Sequence, residues 1–386
     1  MKTIFFIAVT GSLGQFWAMR LLEEGYFLIF MVRSKNGLTA EQRVSSALAF
    51  VDPEACVKYR DRYVVLEGDL FNYPEVDRKI DILCNAAGET SFSDEDVFKT
   101  VRVNIDAVKP MLNFVEKYNI PEIHDISTAY VYEQGVKVAE EIWYDSHKAQ
   151  NIYAKTKGVS EYIKRFWMKC RKNKKVPCKI FIYRPSIIVG HSLTGFTINF
   201  FGYYRYMRAF YVIANGLARK NAHLNRAIEL PIHVSGEAGA TINIVTIDYV
   251  IEMLIRLQKA GIPGIYNITN ANAPEYEWLL KESLMCLNIK GPSSARDPQD
   301  TPKELKRLEQ KLQEGVADYI PFVTGNVVFD QSNCKKVLGD KFIEHQKITP
   351  RLIKTLMDFA VSCEFRRENA LSKAFLKRRF YPPVKT

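Results

Sequence analysis

The chain has 386 residues, 47% apolar and 25% charged, an ordinary globular composition that excludes disorder, collagen and coiled coil as the main class. That length exceeds a single domain of roughly 100–150 residues and fits one large or two intimate domains. The 54 basic and 43 acidic residues leave a formal charge of +11, which suits a polyanionic partner without choosing among nucleic acid, phosphorylated cofactor, acidic protein or membrane surface.

In chain order, residues 3–9 are predicted as a strand. Met1-Lys2 and the apolar run 4–9 look like a brief signal peptide, but Thr10-Gly11-Ser12-Leu13-Gly14 directly after them serves better as a nucleotide loop. A helix over 13–24 ends at Gly25, a left-handed stop residue. Further strands are expected at 26–32, 63–66, 80–84, 122–127 and 179–183, with helices at about 94–118 and 146–172 between them. Strands alternating with helices imply right-handed crossovers and a doubly wound parallel sheet, an α/β Rossmann-type fold. Beyond residue 190 the pattern changes. Residues 196–217 are rich in aromatics, including Phe196, Phe200, Phe201, Tyr203, Tyr204, Tyr206, Phe210 and Tyr211. A short strand at 241–245, a helix at 247–258, a loop at 289–303 and a charged helix at 304–313 follow. The tail 364–386 holds seven Lys/Arg and two Glu, net +5. There is no internal repeat and no stretch of roughly 18 uninterrupted apolar residues.

Thr10-Gly11-Ser12-Leu13-Gly14 lies between a strand and a helix, where backbone amides and a helix N-terminus can face a pyrophosphate. Gly11 is assigned the tight turn and Gly14 the approach to the phosphates. The third glycine of such a loop is expected at position 17, where Trp17 stands. The second strand ends Met31-Val32-Arg33-Ser34-Lys35 without a carboxylate for a ribose 2′-hydroxyl. Arg33 can meet a 2′-phosphate bidentately or stack on adenine, which favours NADP over NAD. Tyr153 and Lys157 stand at i and i+4 on one helix face. An ammonium there lowers a phenol's pKa and lets the pair relay a proton.

These motifs in this order resemble the extended short-chain dehydrogenase/reductase superfamily: the loop at 10–14, Gly68-Asp69-Leu70, Asn85-Ala86-Ala87-Gly88, Asn104, Ser127-Thr128-Ala129-Tyr130-Val131-Tyr132, Tyr153-Ala154-Lys155-Thr156-Lys157 and Tyr183-Arg184-Pro185-Ser186-Ile187-Ile188-Val189-Gly190. The resemblance implies that Thr10, Gly11, Ser12, Leu13 and Gly14 bind the cofactor, that Asp69 meets the adenine with Leu70 beside it, and that Ala86 and Ala87 line the site. It further implies Tyr153 as the acid, Lys157 on the nicotinamide ribose, Pro185 and Ile187 bordering the nicotinamide, and a structural or relay role for Asn104. Thr128 is the expected hydrogen-bond donor to a substrate carbonyl, ahead of Ser127. Strand-end hydrogen bonding is the other reading of those two hydroxyls.

Within the superfamily the chain looks most like the thioester-reductase and fatty acyl-CoA reductase branch, the male sterility type. This rests on Met31–Lys35 with Glu41-Gln42-Arg43, on Ala87-Gly88-Glu89-Thr90-Ser91-Phe92, on His124-Asp125-Ile126-Ser127-Thr128-Ala129-Tyr130-Val131, and on Arg184–Gly190 with Leu193-Thr194-Gly195. Weaker echoes run through Asp248-Tyr249-Val250, Ile265-Tyr266-Asn267-Ile268-Thr269 and Val328-Phe329-Asp330. The branch usually shows His where Asn85 stands. The resemblance implies NADPH-dependent reduction of an acyl thioester, on CoA or on an acyl-carrier protein, to aldehyde or alcohol. The aromatic stretch is open to two readings, lining for an acyl or aryl pocket or plain core packing. The tail (Lys373 to Tyr381) is open to three: a docking surface for CoA or carrier protein, peripheral contact with anionic lipid, or a solvated end. Residues 1–190 are expected as the NADP-binding domain and 191–386 as a smaller substrate-binding part interleaved with it.

Other activities stay open: a sugar-nucleotide epimerase or dehydratase, a ketone or hydroxysteroid-type dehydrogenase, or a cofactor-binding scaffold without catalysis. No nucleic-acid motif accompanies the charge. Cys56, Cys84, Cys170, Cys178, Cys286, Cys334 and Cys363 form no CxxC pair, and the six histidines show no HExxH spacing. Structural disulfides and a bound metal are therefore not expected, and a cytoplasmic location is. Monomer and homodimer are both open.

Overall fold

The computed structural model describes residues 1–90, 96–171, 177–220, 227–237 and 239–370. Ser91 and Phe92 of the glycine-alanine motif, the starting residue of the helix expected at 94, Lys172, and the tail from 371 on lie outside the described residues.

Seven strands form one sheet: β1 (Thr3–Ile7), β2 (Phe27–Val32), β3 (Tyr63–Glu67), β4 (Ile82–Asn85), β5 (Glu122–Ile126), β6 (Lys179–Pro185) and β7 (Gly264–Ile268). Their order is β3-β2-β1-β4-β5-β6-β7, and every pairing is parallel. The order reverses between β1 and β4, where an open α/β sheet leaves a crevice at its carboxyl edge. Strand β1 shows why both faces are covered. Ile4 and Phe6 pack into one apolar layer, whereas Phe5 and Ile7 pack into the other. A strand buried on both faces reads as a continuous apolar run, as β1 (TIFFI) and β2 (FLIFMV) do.

The helices around the sheet include α1 (Ser12–Glu23), α2 (Ala40–Val51), α3 (Val108–Lys117), α4 (Ile152–Cys170), α5 (Tyr203–Lys220), α6 (Ile247–Ala260), α7 (Tyr276–Met285), α8 (Lys306–Val316) and α9 (Pro350–Ser362). The single helix expected over 94–118 is instead a short turn at Val97–Val101, a π-helical turn at Arg102–Asp106 and then α3. Asn151 caps α4, its side chain accepting from the amide of Ala154 at 2.9 Å. The helix expected from 146 therefore begins at Ile152, after a separate turn at Ser146–Lys148. The loop expected at 289–303 contains a two-residue strand, Ile289–Lys290, and a turn at Pro298–Asp300.

The last strand of the sheet comes from the second half of the chain. Its edge is tied down by Glu141, whose carboxylate accepts from the amide of Asn267 at 2.7 Å and from the amide of Asn333. Among the described residues no helix is long and apolar enough to cross a membrane, and no cluster of His, Cys, Asp or Glu could hold a metal.

Candidate active site

The loop between β1 and α1 divides its labour differently from the expectation. Gly11 is extended (φ −80°, ψ 164°), a conformation open to any residue. The left-handed position belongs to Ala8, with φ 68°, and the amide of Gly11 donates to the carbonyl of Ala8 at 3.0 Å. A Cβ on Gly14 would stand 2.1 Å from that same carbonyl oxygen, so Gly14 is where α1 packs closest to the strand. The left-handed turn residue is therefore Ala8 rather than Gly11, and Gly14 is the glycine that lets α1 pack closely on the strand. Position 17, where a third glycine is expected, holds Trp17. Trp17 is fully buried against the sheet, edge-on to Phe6 and Tyr183 at 5.4 and 6.3 Å. Helix α1 has no side-chain cap and no acidic residue in its first turn, leaving its amide end suited to an anion.

At the carboxyl end of β2, Arg33 is exposed and Arg43 of α2 reaches back to it. The Arg43 guanidinium donates to the backbone carbonyl of Arg33 and to the Thr10 hydroxyl, the latter at 3.3 Å. Burial first, then repulsion by Arg33, lowers the pKa of Arg43. Arg33 and Arg43 together place positive charge at this end of the sheet, where guanidinium donors suit an anion. The Asp69 carboxylate accepts from the amides of Phe71 and Asn72 at 2.8 and 2.9 Å. Burial pushes its carboxyl up, but those amides and the Arg33 charge outweigh burial and hold it below the usual range. Asp69 thus shapes its own turn, with Leu70 beside it. Arg43 is the residue that sequence reasoning did not assign. Its signal was a second arginine on the helix after the loop.

The chemistry-bearing hydroxyls meet at the carboxyl edge of β5 and the first turn of α4. The Thr128 hydroxyl faces the Tyr153 phenol and pulls its pKa down. Thr128 is buried. Its oxygen also accepts from the amide of Tyr130 at 3.4 Å. Ser127 is committed elsewhere: its hydroxyl donates to Glu161 at 2.5 Å, and Glu161 is clamped by Arg184 at 3.0 and 2.5 Å. One turn beyond Tyr153, the buried Lys157 ammonium donates to the carbonyl of Ile126 at 2.6 Å. A Cβ on Gly88 would sit 3.5 Å from that ammonium and 3.7 Å from Asn104 Oδ1. Asn104, on the π-helical turn, donates to Glu89 O and Thr156 Oγ1 at 3.0 Å each. π-Turns of this kind recur at functional sites.

Burial pushes the Tyr153 phenol up to about 12, against a smaller opposite pull from Thr128. The expected lowering by the lysine is therefore absent in this state. The physical reason is that Lys157 turns its ammonium to Ile126 and is itself brought down to about 8, mainly by burial.

Behind these groups lies a polar network. Lys164 contacts Asp125 at 2.9 Å and donates to Ser160 at 2.5 Å. Asn85 donates to Asp125 at 2.7 Å and accepts from the amide of Ala87 at 3.0 Å. A small cavity beside it is lined by Leu70, Asn85, Ala87, Asn104, Lys157 and Ser160, among others. Ala86 donates its amide to the carbonyl of Ile7 at 3.2 Å, placing β4 next to the loop.

On the far side, Pro185 ends β6 and Ile187 begins a short strand, Ile187–Val189, paired with Ile244–Thr246. The hydroxyl of Ser186 between them is buried and has no hydrogen-bond partner among the described residues. The aromatic stretch splits. Phe196 and Phe200 stack into the core against Phe359, and Tyr204 accepts from the amide of Gly190 at 3.0 Å. Tyr203 and Tyr206 instead line an apolar cleft, with Ile187 at one wall.

A family model described as "Male sterility protein" matches residues 9–254. Among solved structures, the chain is similar to the terminal R domain from the myxalamid PKS-NRPS biosynthetic pathway, with 19% identity, TM-score 0.72, and 95% of this chain and 92% of that one covered. It is also similar to a thiolation-reductase di-domain from an archaeal non-ribosomal peptide synthetase, at 17% identity, TM-score 0.69, and 94% and 75% coverage. UDP-glucuronic acid 4-epimerase from Bacillus cereus, in complex with NAD, matches at 14% identity and TM-score 0.58, covering 96% of this chain and 99% of that one. At these identities the structures show a shared fold. No curated protein matches the chain.

Proposed function

The chain belongs to the male sterility protein family, in the extended short-chain dehydrogenase/reductase superfamily, and is an NAD(P)-dependent oxidoreductase; from that premise we propose that it reduces an acyl thioester with NADPH. The observation that carries the proposal is the placement of Tyr153 and Lys157 one turn apart on α4, with the Thr128 hydroxyl close enough to lower the Tyr153 pKa and an apolar cleft bounded by Ile187. The solved structures with R-domain titles support a thioester as substrate.

The residues present fit the dinucleotide. The uncapped amide end of α1 suits the pyrophosphate. The Arg33–Arg43 pair with Thr10 suits a 2′-phosphate. The unpartnered Ser186 hydroxyl, between Pro185 and Ile187, suits an amide group. When bound, the nicotinamide supplies the hydride for the thioester carbonyl. Thr128 and Tyr153 then hold the oxygen on which negative charge develops, the role of preorganised donors. Tyr153, kept protonated by burial, gives that oxygen its proton. Lys157 supplies the nearby positive charge, and Asn104 holds the turn that faces it through Glu89 and Thr156. Collapse of the resulting hemithioacetal releases the thiol and an aldehyde, and a second reduction gives the alcohol. CoA and carrier proteins are both anionic, so the net basic charge suits either carrier.

The test is NADPH consumption by the purified chain offered acyl-CoAs, acyl-carrier thioesters, ketones and UDP-sugars. Thioester-dependent consumption with release of aldehyde or alcohol is expected. Turnover of ketones alone, or epimerisation of a UDP-sugar without net cofactor consumption, overturns the proposal.

A further inference from the structure

Resting on the NADPH reading, we infer that Arg367, on the chain leaving α9, is a third guanidinium for the cofactor's 2′-phosphate beside Arg33 and Arg43, so that the C-terminal segment takes part in selecting the cofactor. Arg367 is far from the nucleotide loop in sequence, and the fold brings it there in steps. Helix α2 is the first. Arg43, Ala47 and Phe50 stand at i, i+4 and i+7 on one face of it. Phe50 is buried there and packs on Phe196, with ring centroids 4.7 Å apart. Phe196 also meets Phe16 of α1 edge-on at 5.9 Å. The stretch beginning at Phe196 therefore lies against the two helices that flank the nucleotide loop, on the face of α2 that carries Arg43. Three residues further on, the Asn199 side-chain oxygen accepts from the Arg367 guanidinium at 3.2 Å. Helix α9 holds the same stretch from the other side. Phe359 packs on both Phe196 and Phe200, and Phe200 meets Phe365 at 5.9 Å.

The charges agree with this path. Burial first, then Arg33, then Arg367 lower the pKa of Arg43, so the field of Arg367 reaches the guanidinium that contacts Thr10. Arg367 is exposed, and its hydrogen bond goes to a neutral carboxamide, which leaves the positive charge uncompensated at that contact. Cations that act on one another repel, and a phosphate placed among them turns each repulsion into an attraction. A ribose hydroxyl in the same place gains nothing comparable. The contribution of Arg367 is therefore selective for a 2′-phosphate over a 2′-hydroxyl.

The experiment titrates the wild-type chain and its variants with 2′,5′-ADP and with 5′-AMP, two probes that differ by the 2′-phosphate and need no turnover. The wild-type chain is expected to favour 2′,5′-ADP. Arg367→Ala and Arg367→Gln should each weaken 2′,5′-ADP about fivefold, the upper range for an exposed ion pair, and leave 5′-AMP unchanged. The Gln variant keeps a donor for Asn199 and so separates charge from packing. The loss should shrink as ionic strength rises, because the guanidinium is exposed. Binding of 5′-AMP shows that each variant has folded. Full 2′,5′-ADP affinity in both variants, or equal weakening of the two probes, overturns the inference and leaves the NADPH reading standing. A wild-type chain that binds both probes equally overturns the NADPH reading itself, and the inference with it.

Discussion

Lys164 Nζ lies 2.9 Å from Asp125 Oδ2, and both side chains are only 1% exposed. This ion pair sits directly behind the Lys157–Ile126 contact, since Asp125 precedes Ile126 on β5. Burying two charges is costly, and removing one partner leaves the other uncompensated. Lys164→Met should therefore destabilise the fold by about 3–5 kcal/mol. The Asp125→Asn/Lys164→Met double variant should recover much of that loss, since neither side chain then carries an uncompensated buried charge and Asn85 can still bond the carboxamide at position 125. Denaturant unfolding of the full cycle checks this, and additive losses would show that the pair is not coupled.

The same pair acts on Lys157. Burial brings that ammonium down to about 8, Lys164 adds to the lowering, and Asp125 and Glu161 oppose it. The cation is then lost as pH rises through about 8, so kcat/KM for NADPH, which reports the free enzyme, should fall on the alkaline side. Asp125→Asn removes an attraction and should move that limb to lower pH. The sign for stability is the opposite. Between about pH 8 and the ordinary lysine value near 10.4 the unfolded chain binds a proton that the folded chain does not. Stability from this group therefore rises across that window. The wild-type advantage over Lys157→Met in unfolding free energy should grow with pH there, and a constant difference would refute the shifted value.

Much of this was legible from sequence because β1 and β2 are buried on both faces and leave unbroken apolar runs, and because the Tyr153–Lys157 spacing is fixed by one helix. The register of the glycine loop was not legible. An alanine at φ 68° carries no signal in composition, so the tight turn was assigned to Gly11 instead. The π-helical turn at Arg102–Asp106 was also hidden, since it preserves an amphipathic pattern nearly as well as an α-helix does. Arg43 is brought to Thr10 by the path of the loop before α2, which spacing alone does not specify. Nor does sequence say which aromatics of 196–211 face the core and which face a cleft, because both surfaces are apolar.

Ala8 itself gives a prediction. An L residue in the left-handed region costs about 1–2 kcal/mol, while glycine adopts it freely at some cost in unfolded-chain entropy. Ala8→Gly should raise stability by about 1 kcal/mol and keep cofactor binding. Gly14→Ala should do the reverse, because its Cβ would stand 2.1 Å from a backbone oxygen. Thermal unfolding with and without NADPH separates the two, and loss of stability in Ala8→Gly would count against the turn assignment.

The Arg33–Arg43 pair sets the expectation for cofactor choice. Arg33→Ala and Arg43→Ala should each weaken NADPH binding roughly tenfold or more, as expected for a charge-assisted hydrogen bond, with little effect on NADH. Arg43→Lys should restore only part of the loss, because a point charge lacks the planar fork. Titration of both cofactors against each variant is the measurement. Equal weakening of NADPH and NADH would remove the 2′-phosphate role.

Two adjacent hydroxyls on one strand end should behave differently. Thr128 acts on the Tyr153 phenol and lowers its pKa, whereas Ser127 donates to the Glu161 carboxylate at 2.5 Å. Tyr153→Phe and Thr128→Val should lower kcat by about 10²–10⁴-fold, the usual worth of a positioned proton donor or oxyanion partner, while NADPH affinity is retained. Ser127→Ala should leave kcat nearly intact and instead lower stability by about 1.5–3 kcal/mol, the cost of a lost hydrogen bond to a buried charge. Steady-state rates and denaturant midpoints on the three variants distinguish the roles. A large kcat loss in Ser127→Ala with Thr128→Val near wild type would transfer the catalytic role to Ser127.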